Sequence, residues 1–421
     1  MPLATYAPDG ARMGQHGAVR PTSNEFRAAW PRIVRVLAAW SGSLDDAEEY
    51  AAEAVARALT RDDIDDLAAW CVRVAKRAWI DDHRRRGTFA RLAPELASEE
   101  AMAAVDTGEL PDGLDDRLAL LFVACDEALA PGAQMVLALR VVCGLSIAET
   151  AMHLGIQESA AAARLTRAKR SLGEARGEFR VPDPTERIAR LPVVLDCVAG
   201  MFTVAHRTVL EPRDPLADLG RQALSIADAL VALFPTDTEV RGLRAVVRLG
   251  LARRPGRVDE AGTALTLDDV DRSRWNTSLL RAGLDDAAYA ASGHGRFALE
   301  AAISGVHSVA PSVAETDWAR VVDLYTALEQ VWPSPAVRVA LLVARAQVAL
   351  AANGDVGPIE DELETLATEG PSYARRDASF ALADLGWRTG RREAAALRYR
   401  ELAGLTTSDA VRRFCESRSG G

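Results

Sequence analysis

Gln157, Ser159, Arg164 and Arg167 stand in one short stretch that also holds Lys169 and Arg170. Amide and guanidinium groups bond base edges and cations neutralise phosphates, so the chemistry on offer is recognition of nucleic acid rather than bond breaking. A second cationic set, Arg73, Lys76, Arg77, Arg84 and Arg85, surrounds Trp79. Arginine grips phosphate bidentately, and an aromatic ring can stack on an unpaired base. Each set has a plainer alternative. The first reads also as a solvated basic face on a surface helical hairpin, the second as a solvated helix end beside core tryptophans, Trp70 and Trp79.

These side chains need rigid elements behind them. Ser146 and Glu149 have capping-box spacing, which predicts a helix start there, with Ile147, Ala148, Ala151 and Met152 as its apolar stripe. Gly155 supplies permissive backbone for a tight turn. Leu165, Ala168 and Leu172 then give a second helix its buried face, and Arg164, Arg167, Lys169 and Arg170 crowd the rest with charge. The pair reads as a helix-turn-helix whose second helix fits a major groove.

Composition sets the wider frame. The 421 residues suffice for two or three domains, and with aromatics at 5%, abundant Ala and Leu and only short β-branched runs, an all-α protein is expected. The net charge of −10 excludes a uniformly basic coat, so any nucleic-acid contact must be local. Lysine occurs only at Lys76 and Lys169, leaving arginine to carry almost all positive charge. The five cysteines lack a Cys-x-x-Cys pair and suit buried thiols in a reducing compartment. Met1 to Arg20 lacks the apolar core of a signal peptide, and no apolar run approaches the roughly 20 residues that span a bilayer. A cytoplasmic protein without a membrane partner is expected.

Residues 1–23 read as a disordered tail. A first helical module covers 24–90: Phe26, Trp30, Ile33, Val36, Leu37 and Trp40 recur at helical spacing, followed by amphipathic segments over 47–59 and 67–83. Residues 91–114 read as an acidic linker, since Ala93 to Asp116 holds eight acidic residues, two prolines and no basic one. A second module, 115–181, contains the helix-turn-helix, with Pro131 starting the helix before it. Pro182 and Pro184 mark the next boundary, and 185–421 is a helical extension. Near its end, Asn353-Gly354-Asp355 and Thr389-Gly390-Arg391 each sit between amphipathic segments, about 36 residues apart, close to the tetratricopeptide period.

Two small helical modules, an acidic linker and a helix-turn-helix in that order resemble the bacterial extracytoplasmic-function sigma factors, group 4 of the sigma-70 family. More narrowly, the chain resembles the subgroup with a long tetratricopeptide-like C-terminal extension. The resemblance covers about residues 24–415 and rests on the stretches 115–122, 128–131, 139–146 and 167–170, and in the extension on 252–259, 271–275 and 316–318. It implies a factor that binds core RNA polymerase through the β′ clamp helices and directs it to promoter DNA. By the same resemblance, Asp45, Glu48, Glu49 and Glu53 would bind polymerase. Arg73, Lys76, Arg77, Trp79, Arg84 and Arg85 would open the −10 element, and the acidic linker would lie near the nascent transcript. Departures are visible: Ala52 and Val55 replace a glutamine and a phenylalanine in the polymerase-binding helix, and Ala160, Ala161 and Ala163 replace larger recognition side chains. Alanine touches only a thymine methyl, so base readout falls to Gln157, Ser159, Arg164 and Arg167.

Other constellations carry less. Asp268-Asp-Val-Asp-Arg-Ser-Arg-Trp275 has carboxylates enough for Mg²⁺, but a cap at Asp271 with ion pairs from Arg272 and Arg274 is the simpler reading. His206, His294 and His307 stand alone, as packing residues do. Trp318, Tyr325, Trp332, Tyr373 and Trp387 would line a concave groove or fill interhelical core. No glycine-rich phosphate loop or nucleophile elbow appears, so no catalytic residue, metal ligand or cofactor is expected, and an enzyme is the lesser expectation. Beside the sigma factor stands one alternative: a repurposed sigma-like scaffold, enzyme or ligand-binding protein, with a pocket between the helix-turn-helix module and the extension. The extension could also answer to a protein or small-molecule regulator.

Overall fold

A computed structural model describes residues 21–62, 64–85, 110, 113–208 and 218–420, without the side chains of 23, 24 and 206–208. Residues 1–20 of the expected tail, nearly all of the acidic linker and the His206 side chain lie outside the described residues, while the tail's last two residues, Thr22 and Ser23, cap and begin a helix. Within them the chain is all-α, and the one non-helical pairing is an isolated bridge between Val258 and Ala264. The chain divides into two compact units, residues 1–109 and 110–421.

The first unit packs three helices on one another: α1 (Ser23–Ser41), α2 (Leu44–Ala58) and α3 (Leu67–Arg85). Thr22 and Glu25 exchange capping bonds ahead of α1, and Gly42 closes it in the left-handed conformation that glycine adopts at least cost. Ile33, Val34, Ala51, Cys71 and Ala75 form the centre. Around them Trp40 meets Trp79 edge-on at 4.9 Å, while His83 stacks on Trp79 at 3.8 Å.

The second unit opens with α4 (Asp116–Ala124), α5 (Pro131–Val141), α6 (Ile147–Leu154) and α7 (Glu158–Arg176). Every residue of α4 from Leu118 to Ala124 is buried, as is most of α5. Next comes α8 (Pro184–Thr208), which packs on α4, α5 and α6 and also on α9 (Leu219–Leu233) and α10 (Thr238–Ala252). Its stretch Pro184–Ala205 is long and apolar enough to cross a membrane, which corrects the expectation that no run approaches that length. Half of it is buried inside the fold, against the helices it packs on.

The remaining helices are α11 (Thr277–Ala290), α12 (Arg296–Val309), α13 (Trp318–Val331), α14 (Pro335–Ala351), α15 (Gly357–Glu369), α16 (Ser372–Arg388), α17 (Arg392–Leu405) and α18 (Asp409–Ser419). Each packs on the next. Helix α10 also meets α12, at Gly242, where a Cβ would lie 2.5 Å from the Phe297 backbone, so the crossing requires glycine. Glu239 then caps α12 by accepting the Phe297 and Ala298 N–H groups at 2.9 and 3.0 Å. Both glycine-containing turns fall between helices, α14/α15 and α16/α17, but only Gly390 of their two glycines has positive φ; in the first turn Asn353 takes that conformation. The segment 253–276 between α10 and α11 reaches the far end of the chain. Ala264 N–H donates to Ala410 O at 3.0 Å, Arg413 donates to Gly262 O at 2.5 Å, and Asp268 pairs with Arg388.

Candidate nucleic-acid interface

The helix-turn-helix forms as its local signals require. The Ser146 hydroxyl accepts the Glu149 N–H at 3.1 Å, and the Glu149 carboxylate accepts the Ser146 N–H at 2.7 Å. Gly155 ends α6 at φ 63°, and α7 follows. Ser146→Ala is expected to remove about 1 kcal/mol. Hydrogen exchange would show this as faster exchange of the first α6 amides with the rest of the chain unchanged. One part of the sequence reading is corrected: Thr150 and Ala151 are the buried residues of α6, while Ala148 and Met152 are exposed, Met152 by 61%. Neighbours α5, α7 and α8 reach the Thr150 side instead.

Helix α7 buries Ala161, Leu165, Ala168 and Leu172 against α5 and α6. Its opposite face presents Gln157, Ser159, Ala163, Arg167 and Arg170 to solvent. Arg170 lies 3.7 Å from Glu174, a spacing that leaves its guanidinium largely open. Arg164 is half-buried, with Nη1 beside Gly132 at the start of α5. It therefore borders the exposed face instead of standing on it, while Arg170, one of the cations the sequence reading put on this helix, stands there.

In the first unit, Arg73, Arg77, Arg84 and Arg85 are exposed along α3, and Asp45, Glu49 and Glu53 are exposed at four-residue intervals along α2. Three residues expected beside them are not on the surface. Trp79 is 3% exposed and donates its indole N–H to Asp46 Oδ2 at 2.9 Å, so it is a core residue and not a stacking platform. Lys76 is buried with its ammonium 5.4 Å from the Trp40 ring, and Glu48 is buried within α2. The cause is the aromatic knot itself: with Trp40, Trp79 and His83 packed together, the α3 face carrying positions 76, 79 and 80 turns inward.

One polar cluster behind the helix-turn-helix had no sequence signal. Asp126, in the α4–α5 turn and 1% exposed, accepts Arg176 Nε from the end of α7 at 2.8 Å and pairs with Arg190 of α8 at 2.7 Å. Arg190 also donates to Phe122 O at 3.0 Å. Burial pushes the Asp126 carboxyl up, but Arg176, the Ala128 N–H and Arg190 outweigh it and hold the carboxyl below its ordinary range. This ion triad joins the recognition helix to the first helix of the extension.

Elsewhere the Asp271 cap forms as expected, but Arg272 donates to the His307 carbonyl in place of the expected ion pair. Asp268 pairs with Arg388, Asp269 accepts from Thr266, and Asp271 accepts Ser273 N–H at the head of a short 3₁₀ turn, Arg272–Arg274, so these carboxylates diverge. Among the described residues no group of three metal-ligating side chains converges. Tyr325 and Trp332 pack in one interhelical cluster and Trp387 in another, so these aromatics do not line a single groove. All five cysteines are buried, and burial pushes the Cys71 thiol up to about 12 and Cys415 to about 11. Neither is a thiolate nucleophile near neutral pH.

Residues 120–172 match sigma-70 region 4, a span that runs from α4 to α7. The chain is also 33% identical over 352 residues to an uncharacterized protein of Rhizobium meliloti (strain 1021), covering 80% of this chain and 82% of that one. Over most of its length the chain belongs with that uncharacterized protein, and its helix-turn-helix carries a sigma-70 region 4 domain. Sigma-70 region 4 is a DNA-binding module that works with RNA polymerase at promoters, which assigns the helix-turn-helix a sigma-type DNA-binding role. Residues 190–291 match a family of unknown function (DUF6596), spanning most of α8 through α11. No solved structure matches the chain.

Proposed function

We propose that the protein is an extracytoplasmic-function sigma factor, acting in the cytoplasm, that binds core RNA polymerase and directs it to specific promoters. Its tetratricopeptide-like extension regulates or stabilises that assembly. The observation that carries the reading is the open face of α7: Gln157, Ser159, Arg167 and Arg170 are exposed on the second helix of a helix-turn-helix inside the sigma-70 match. In this reading Gln157 and Ser159 meet base edges, Arg167 meets a base edge or phosphate, and Arg164 contacts the backbone from the rim. The exposed α3 cations, Arg73, Arg77, Arg84 and Arg85, serve −10 opening. Asp45, Glu49 and Glu53 face the β′ clamp helices, while Trp79, Lys76 and Glu48 shape the helices that present them. No chemistry, cofactor or metal is assigned to the protein.

Arg164→Ala combined with Arg167→Ala tests the reading. Holoenzyme assembled from either protein is titrated with promoter DNA by fluorescence anisotropy across a salt series. The double variant is expected to lose about 1–3 kcal/mol if a bidentate base contact goes, or to show a shallower salt slope if phosphate contacts go. Co-elution with core polymerase should be retained. Equal affinity and equal slope for both proteins would remove α7 from promoter contact. The repurposed-scaffold alternative calls for a covered recognition face, and the exposure of Gln157, Ser159 and Arg167 counts against it.

A further inference from the structure

Segments distant in sequence converge on a cavity of about 100 Å³ in the extension. Arg253 at the end of α10, Arg272 and Trp275 in the 253–276 segment, His307 on α12, and Thr316 and Trp318 at the head of α13 all line it. A second cavity of about 220 Å³ shares the Leu267, Val313 and Trp318 walls and continues between Val343, Phe380 and Phe414. Together they form a site with one cationic end and a larger, mostly apolar end that also holds the Asp384–Arg388 pair.

The cationic end is under-compensated. Arg253 donates Nε to Leu249 O at 3.1 Å, and Arg272 donates Nη1 to His307 O at 3.1 Å while lying over the Trp275 ring at 4.8 Å. Neither guanidinium has an ion pair with any described carboxylate. The acids of the neighbouring segment are engaged elsewhere, Asp268 by Arg388, Asp269 by Thr266 and Asp271 by Ser273. Burial draws Arg253 down to about 10, and the positive charge of Arg272 adds to the effect, which leaves Arg253 charged near neutral pH. His307 is drawn down to about 4 by burial and the same two arginines, so it is neutral there. The Trp275 Nε1, in the same wall, is buried without a hydrogen-bond partner. Both side chains are half-buried, and a partly desolvated pair of cations with no counter-charge is costly, a cost that a bound anion offsets.

We infer that this cavity pair binds a small carboxylic acid, its carboxylate between Arg253 and Arg272 and its apolar body among Val313, Trp318, Val343 and Phe380. An acid of this size fits the combined volume. The site would give the extension a small-molecule input. Binding is a property of the free chain, so it stands or falls separately from the sigma-factor reading.

Titration calorimetry of the full chain with phenylacetate and with octanoate, and with phenylacetamide as neutral isostere, tests the inference. The expected result is saturable binding of at least one acid, none of the amide, and a loss of about tenfold or more in Arg253→Gln and in Arg272→Gln. Arg274→Gln, an exposed position outside the cavity wall, should bind as the parent does. A crystal of the parent with para-bromophenylacetate should place the bromine in the apolar cavity; this measurement decides the matter if the arginine variants fail to fold. No saturable binding of either acid, equal binding of the amide, undiminished binding by a folded Arg253→Gln, or bromine bound elsewhere would each overturn it.

Discussion

Asp286→Ala is expected to cost the protein about 3–5 kcal/mol of stability, seen as a large shift of the urea transition to lower concentration. Asp286 on α11 is 3% exposed and faces three arginines from successive turns of α10. Arg244 reaches its two oxygens at 2.6 and 2.8 Å, Arg248 lies at 2.8 Å and Arg241 at 3.4 Å. Removing the carboxylate leaves those cations half-desolvated. Asp228 keeps contacts with Arg244 at 3.2 Å and with Arg248 at 2.8 Å, so the unit should weaken without the pair losing every counter-charge. Asp286→Asn keeps the shape and part of the hydrogen bonding, and should fall between the parent and the alanine variant. A transition unchanged in Asp286→Ala would mean that α10 and α11 are held by their apolar contacts alone.

The second large effect concerns Asp126. Asp126→Ala is expected to cost about 3 kcal/mol, at the low end for a broken buried ion pair because Arg176 keeps Glu127 at 2.9 Å. Arg190, with a side chain only 11% exposed, is the partner that loses most. The same residue sets a pH dependence whose sign follows from its lowered folded-state pKa. Its stabilisation is full above the unfolded aspartate value of about 3.9 and is lost as pH falls through the lower folded value. Acid titration of thermal stability should therefore show a constant gap between parent and variant above about pH 4 and convergence as pH falls below it. A gap that stays constant down to the acid end would assign the loss to packing and not to charge. Because the triad ties α7 to α8, the variant is also expected to loosen the recognition helix at its C-terminal end, read as faster hydrogen exchange around Arg176.

What the sequence determined by itself is local. The helix class, the α6 start at the Ser146–Glu149 capping box, the left-handed turn at Gly155, the buried Leu165–Ala168–Leu172 stripe and the α8 start at Pro184 are interactions within one helical turn or its ends. They need no neighbour, so spacing alone reveals them. Which flank of an amphipathic helix turns inward is a different matter, because it depends on what packs beside it. Met152 was legible as apolar yet lies exposed, and Trp79 and Lys76 were legible as an aromatic–cation pair yet lie inside the first unit. Longer-range pairings are less legible still. Nothing in the spacing of Asp126, Arg176 and Arg190, or of Asp286 and the α10 arginines, announces that they meet, since a charged side chain at helical spacing looks the same whether it faces water or a buried partner. The unpaired Arg253 and Arg272 belong to the same class: only the convergence of α10, the 253–276 segment, α12 and α13 encloses them, and enclosure is what turns two ordinary arginines into a site.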